Sequence, residues 1–191
     1  LITHLGRDFN YSEANFDGCP LLLDVNRLSR VNSQPDDCNN QFQQKRLSLI
    51  KTTPSIIIYG GRFPLYLTSK YFDNKEGGIE GNERYNTFKT IDGSPLDVAF
   101  QSTIQQITHD GHHVVLIYPI PEVGFDVPTS ILNNLNSKSL KDIEPNFSAL
   151  TTSYEMYKDR TASTFELFNS IESSNIHRVY PHSLFCDKQV K

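Results

Sequence analysis

Between Ser94 and Tyr118 the apolar positions change their spacing once, and the change marks a helix giving way to a strand. Leu96, Phe100, Ile104 and Ile107 recur at the intervals that put side chains on one face of a helix. Ser94 before Pro95 supplies a cap residue and then a proline at the first helical position, and Asp97 adds an acid in the first turn. Asp110-Gly111 ends the helix, since glycine suits the left-handed conformation after a last turn. Val114-Val115-Leu116-Ile117-Tyr118 then runs apolar without a break, as expected of a strand buried on both faces of a parallel sheet. Pro119 stops it, because proline cannot donate to the ladder.

The same unit recurs on either side. Asp36 to about Lys51 reads as a helix with Phe42, Leu47 and Ile50 among its apolar positions. Pro54 closes it, and Ser55-Ile56-Ile57-Ile58-Tyr59 follows as a β-branched strand. Downstream, Thr152 to about Ser173 predicts a long helix that uses Tyr154, Tyr157, Phe165, Phe168 and Ile171, ahead of a short strand over His177–Tyr180. Leu21 to Leu23 predict one further strand. Helices alternating with apolar strands imply right-handed crossovers and an α/β fold with a mostly parallel sheet. Residues 1–191 read as a single domain, without internal repeats. From about 64 to 93 the chain is polar, with Tyr71-Phe72-Asp73-Asn74 and Tyr85-Asn86-Thr87-Phe88 on either side of Gly77-Gly78. This predicts an insertion loop or hairpin, and a stretch of that length is either a functional lid or a surface decoration.

A formal charge of -4 and scattered basic residues give no footprint for nucleic acid or an anionic membrane surface. No apolar run approaches the roughly 20 residues of a membrane span. The opening Leu1-Ile2-Thr3-His4-Leu5 has neither an initiator methionine nor the pattern of a signal peptide, so the chain is expected to be a fragment. Three cysteines are an odd number for an exported protein. Cys19 and Cys38 are close enough to close a loop, a bond that would contribute about 3 kcal/mol. Cys186 is then either a buried thiol or the partner of a cysteine beyond Lys191.

In open parallel sheets ligands bind beyond the carboxyl ends of the strands, which singles out Tyr59-Gly60-Gly61-Arg62 and Tyr118-Pro119-Ile120-Pro121-Glu122. Gly60 and Gly61 allow close backbone approach or positive φ, and their N–H groups with the Arg62 guanidinium would stabilise an oxyanion. The competing reading is a tight strand-to-loop turn with Arg62 in a surface ion pair. His112, His113 and His177 precede strands and so belong to the opposite edge, as structural or exposed groups. His182 follows a strand and faces the cleft on that count, without an acid at suggestive spacing, and His4 has no interpretable context. There is no G-x-S-x-G elbow, glycine-rich phosphate loop, H-E-x-x-H or zinc-ligand spacing. No catalytic residue, metal or cofactor is therefore assigned.

Several segments taken together carry a resemblance. They are Gly18-Cys19-Pro20-Leu21-Leu22, Cys38 in the following helix, Ile56 to Phe63, the run from Tyr118 to Pro128, and Leu184-Phe185-Cys186-Asp187. Their order resembles the SGNH-hydrolase-like domain fused to acyltransferase family 3 membrane proteins, which O-acetylate cell-surface polysaccharides such as lipopolysaccharide O-antigen. The resemblance implies a three-layer α/β/α sandwich of SGNH/flavodoxin-like type. It also implies a periplasmic domain of an inner-membrane protein, a polysaccharide acceptor, and an acyl donor delivered by the membrane acyltransferase domain. The family's G-D-S serine would lie upstream of Leu1, and its D-x-x-H, together with a partner for Cys186, past Lys191. Arg62 stands where SGNH enzymes carry an oxyanion-hole asparagine in a G-x-N-D block. A stand-alone carbohydrate esterase and a non-catalytic α/β module that binds glycan or protein are the alternatives.

Overall fold

The computed structural model describes residues 13–50, 53–81, 85–136, 151–186 and 189–190. In chain order these form β1 (Val25–Leu28), α1 (Asn40–Ile50), β2 (Ile56–Tyr59), α2 (Phe63–Thr68), β3 (Thr87–Thr90), α3 (Leu96–His109) and β4 (His113–Ile117). They continue as α4 (Val127–Asn136), β5 (Thr152–Ser153), α5 (Tyr154–Ser170), β6 (Ile176–Val179), α6 (His182–Phe185) and β7 (Gln189–Val190). The expected α/β class is present: β2, β4 and β6 form a parallel sheet in that order, with helices in the connections. His4 and the Lys51 end of the first expected helix lie outside the described residues.

Among the described residues one face of the sheet is covered. Ile57, Val114 and Ile176 share one register row, and Tyr59, Leu116 and Arg178 share another. This face packs on α2, α3 and α5 through Phe63, Phe100, Ile104, Ile107, Phe168 and Ile171, all fully buried. Phe63 is the hub, with its ring 4.9 Å from Phe168, 5.4 Å from Tyr59 and 5.5 Å from Phe100. The intervening rows face the other way. Ile56 and Ile58 are about 60% exposed, Val115 and Ile117 are half-buried, and His113 and His177 are exposed. The expectation that Val114–Tyr118 is buried on both faces is thus corrected, among the described residues, to an alternating strand. An unbroken apolar run does not report burial when the outer face also carries β-branched side chains.

Element ends shifted where side chains took over backbone partners. Leu21–Leu23 are buried but form no strand. The Leu22 N–H donates to Gln43 Oε1, the Leu23 N–H donates to Thr103 Oγ1, and the Leu21 carbonyl accepts from the Tyr59 hydroxyl. With those groups satisfied, no sheet neighbour is required. Pairing starts instead at β1, whose antiparallel partner is β3. The first helix begins at Asn40, not Asp36, because Asn39 Oδ1 accepts from the Phe42 N–H as its cap while Asp36 caps the turn before it. Pro95, not Ser94, occupies the cap position of α3 and offers no side-chain bond, while Ser94 is held by Thr90 and Asp92. Gly111 adopts φ 88°, the left-handed stop that its position predicted.

Cys19 and Cys38 are joined in a disulfide, one thiol lying just before the Leu21–Leu23 segment and the other at the foot of α1. The Gln43 amide donates to the Pro20 carbonyl and Arg46 donates to the Cys19 carbonyl, so α1 grips the same turn by hydrogen bonds. Replacing both cysteines by alanine is expected to lower stability by about 3 kcal/mol, the loop-closure value; an unchanged denaturation midpoint would contradict this. One-sided covering also has a stability signature. Leu116→Ala should cost about 2–5 kcal/mol, whereas Ile58→Thr should change stability by no more than about 0.5 kcal/mol. Equal losses in denaturant titrations would mean that both faces are packed.

Candidate functional site

The carboxyl edge of the sheet gathers four charges from distant parts of the chain. Arg62 leaves β2 at the cap of α2, Glu122 follows β4, Glu80 lies in the connection between α2 and β3, and Arg160 projects from α5. The Arg62 guanidinium grips both Glu80 oxygens, at 2.6 and 2.7 Å, and its Nε donates to Glu122 Oε1 at 2.8 Å. Arg160 closes the set at 3.4 Å from the other Glu122 oxygen, and it also donates to the Lys70 carbonyl. Burial works against the charge on Arg62, but Glu80 and Glu122 outweigh it and hold its pKa above the ordinary arginine value. Burial likewise opposes ionisation of Glu80, and the Arg62 hydrogen bonds and charge outweigh that too, leaving its carboxyl below the usual range.

Among the described residues three of the five guanidinium N–H groups of Arg62 are engaged, which leaves two, and 41% of the side chain is exposed. Its charge is balanced locally, so what remains is a fixed hydrogen-bond donor with no uncompensated charge. The Gly61 N–H makes no hydrogen bond among the described residues. Neither Gly60 nor Gly61 has positive φ. A Cβ would lie 3.3 Å from Ile117 Cδ1 at Gly60 and 3.0 Å from Tyr66 Cε2 at Gly61, so packing is close at both positions. Sequence reasoning located Gly60, Gly61 and Arg62 but missed Glu80, Glu122 and Arg160 as partners. Glu122 had been in view as the end of the β4 exit, while nothing local marks the other two.

Asn74 is a buried polar residue in the same connection as Glu80. It is fully buried, and its amide donates to Thr152 Oγ1 and the Val123 carbonyl while its oxygen accepts from the Glu76 and Gly78 N–H groups. All four of its bonding positions are thereby used, so it pins the connection and has none left for a ligand.

The histidines divide as their positions predicted. His112 is buried and accepts from the Ser55 N–H, while His113 and His177 stack in the open with ring nitrogens 3.2 Å apart. Asp110-Gly111-His112-His113 spells D-x-x-H, but it sits at the amino end of β4, the edge opposite Arg62. His182 lies after β6 among the rings of Tyr154, Tyr157, Phe165 and Tyr180. Its Nδ1 is buried without a hydrogen-bond partner among the described residues, and burial lowers its pKa. Among the described residues no group of three or more His, Cys, Asp or Glu is placed to hold a metal ion, and no helix is long and apolar enough to cross a membrane.

The Glu80 shift fixes the sign of a pH effect. A carboxyl depressed in the folded state stabilises above its unfolded pKa, and that contribution is lost as pH falls through the folded value. Glu80→Gln is therefore expected to be less stable than the parent at neutral pH, with the gap closing below the carboxylate range. Denaturant midpoints stepped through acidic pH measure it, and a gap independent of pH would contradict the assignment.

Compared with known proteins, residues 5–191 match a family model described as SGNH domain (fused to AT3 domains). No curated protein and no solved structure matches the chain. The family match spans nearly all of the sequence and fits the α/β fold with its parallel sheet. The chain belongs to the SGNH domain family, whose members are fused to AT3 domains.

Proposed function

We propose that this chain is the SGNH domain of a membrane O-acyltransferase that moves acetyl groups onto cell-surface polysaccharide, on the periplasmic side of the inner membrane. The family match over residues 5–191 is the observation that carries the reading. In the proposed reaction a serine hydroxyl, supplied by a G-D-S motif outside residues 1–191, attacks the acyl donor and forms an acyl-enzyme as the donor's leaving group departs. A sugar hydroxyl then takes the acyl group and returns the serine, with a histidine carrying the proton at each step and an aspartate orienting it.

Within this reading Gly60, Gly61 and Arg62 bind the substrate oxygen on which negative charge develops. The Gly61 N–H and the two Arg62 N–H groups that make no hydrogen bond among the described residues support the role. Two carboxylates hold the guanidinium still, so little reorganisation is needed when charge appears. The insertion expected at about residues 64–93 of the single domain is read here as the connection between α2 and β3, tied to that site through Glu80.

The test uses the full-length protein in membranes, with acetyl groups on polysaccharide counted by mass spectrometry. Acetylation that depends on the protein is expected. Arg62→Ala should lower its rate on the order of 10²-fold, the loss of one oxyanion donor, with Arg62→Lys restoring part of it. Full activity in Arg62→Ala would remove that residue from the site. Acetyl release to water without any acetylated polysaccharide would turn the reading to a carbohydrate esterase.

A further inference from the structure

The amino edge of the sheet carries a side-chain pair for which acyl transfer has no use. His113 opens β4, and His177 is the second residue of β6. Val115 stands opposite His177 in the ladder, and side chains two apart on a strand share a face, so both imidazoles rise from the outer face. Both are exposed, with His113 Nδ1 3.2 Å from His177 Nε2 and ring centroids 5.4 Å apart.

The backbone beneath the pair is fixed. The His113 N–H donates to the Ser55 carbonyl and the Val114 N–H to the Asn175 carbonyl, which ties the entries of the three strands together. The Asn175 amide donates to the Thr108 carbonyl and its N–H to Ser173 Oγ, so the turn into β6 is held to the end of α3. The ladder neighbours on this face, Ile56 beside His113 and Val115 beside His177, are aliphatic and offer no competing donor.

Two imidazole nitrogens this close repel if both turn bare lone pairs on each other. A cation between them removes the repulsion, either one proton in an N–H···N hydrogen bond or a metal ion bound to both. Zinc–nitrogen bonds of about 2.0–2.1 Å meeting at the tetrahedral angle set their nitrogens about 3.3–3.4 Å apart. The 3.2 Å separation is close to that bite, so the strands already hold the two arms of a chelate. The rings are inclined by 26°, and the broad χ2 torsion of histidine lets both lone pairs turn onto one ion. The ring protons then sit on His113 Nε2 and His177 Nδ1. Neutral nitrogen ligands suit zinc, whereas magnesium and calcium take oxygen. Among the described residues no third His, Cys, Asp or Glu joins the pair, which leaves the other coordination positions to water.

We propose that His113 and His177 form a surface zinc site that clamps β4 to β6 at the amino edge of the sheet. The site stands apart from the acyl chemistry and does not depend on that reading.

The metal-free 191-residue chain is titrated calorimetrically with Zn²⁺ alone and, separately, with Mg²⁺ alone. One bound Zn²⁺ per chain, no bound Mg²⁺ and a higher denaturation midpoint in zinc are expected. His113→Ala and His177→Ala should each weaken zinc binding about tenfold or more, since even a residue that only orients a ligand is worth about 10–100-fold. The double variant should lose little beyond either single one, because the two rings act as one site. His109→Ala, at the exposed end of α3, should bind as the parent does. Near-UV circular dichroism checks the fold of each variant. If an alanine variant does not fold, imidazole ¹⁵N spectra of the parent decide, with zinc expected to move His113 Nδ1 and His177 Nε2. No zinc bound, zinc bound as tightly by either single variant, or zinc shifting other histidines in place of these two would each overturn the site.

Discussion

A connection of eighteen residues between α2 and β3 lies at the carboxyl edge of a three-stranded sheet, and two arginines and two glutamates tie it there alongside the hydrogen bonds of Asn74. Arg62 is the centre of the set, since it alone touches both carboxylates. The arrangement is partly shielded, with Glu122 and Arg160 side chains only 14% and 10% exposed. Charged groups at that depth are tolerated when each finds a partner, and removing one leaves the others costly. The network therefore links β2, the exit of β4, α5 and the long connection into one unit. The carboxyl edge, where an α/β sheet places its chemistry, inherits its shape from that unit.

Much of this was legible in the chain, and the reason differs by element. The α3–β4 unit was readable because helix spacing, Gly111 and the apolar run all agree locally. β1 and β3 were not, since Val25-Asn26-Arg27-Leu28 is short and its pairing with Thr87–Thr90 depends on a partner sixty residues away. Leu21–Leu23 misled because an apolar triplet does not say whether its N–H groups will meet a strand or side chains such as Gln43 and Thr103. Gly60–Arg62 could be located by the rule for strand ends. The partners of Arg62 stand 18 and 60 residues off, Glu80 without any local mark and Glu122 marked only as the end of the β4 exit, so the balance of charge around it emerged only from the fold.

The two edges of the sheet have different characters. At the carboxyl edge, polar side chains are fixed by one another and close packing surrounds the glycines. At the amino edge His112 is a buried strut, while His113 and His177 meet in solvent with only each other's ring nitrogen between them. The separation follows from parallel topology, which sends every strand exit to one side. It places the D-x-x-H string at Asp110–His113 on the edge opposite Arg62, despite its spelling.

The uncovered side of β2 bears on how the chain behaves in solution. Ile56-Ile57-Ile58-Tyr59 borders the sheet without a strand beyond it among the described residues, and no charge or proline interrupts it. Protein edges that avoid recruiting other strands are shortened, kinked or charged. This one is short but otherwise bare, with two isoleucines turned outward. Among the described residues a further strand would find backbone groups to pair with along that border, and, with Arg62 three residues beyond Tyr59, it would also reach the network that shapes the chemistry.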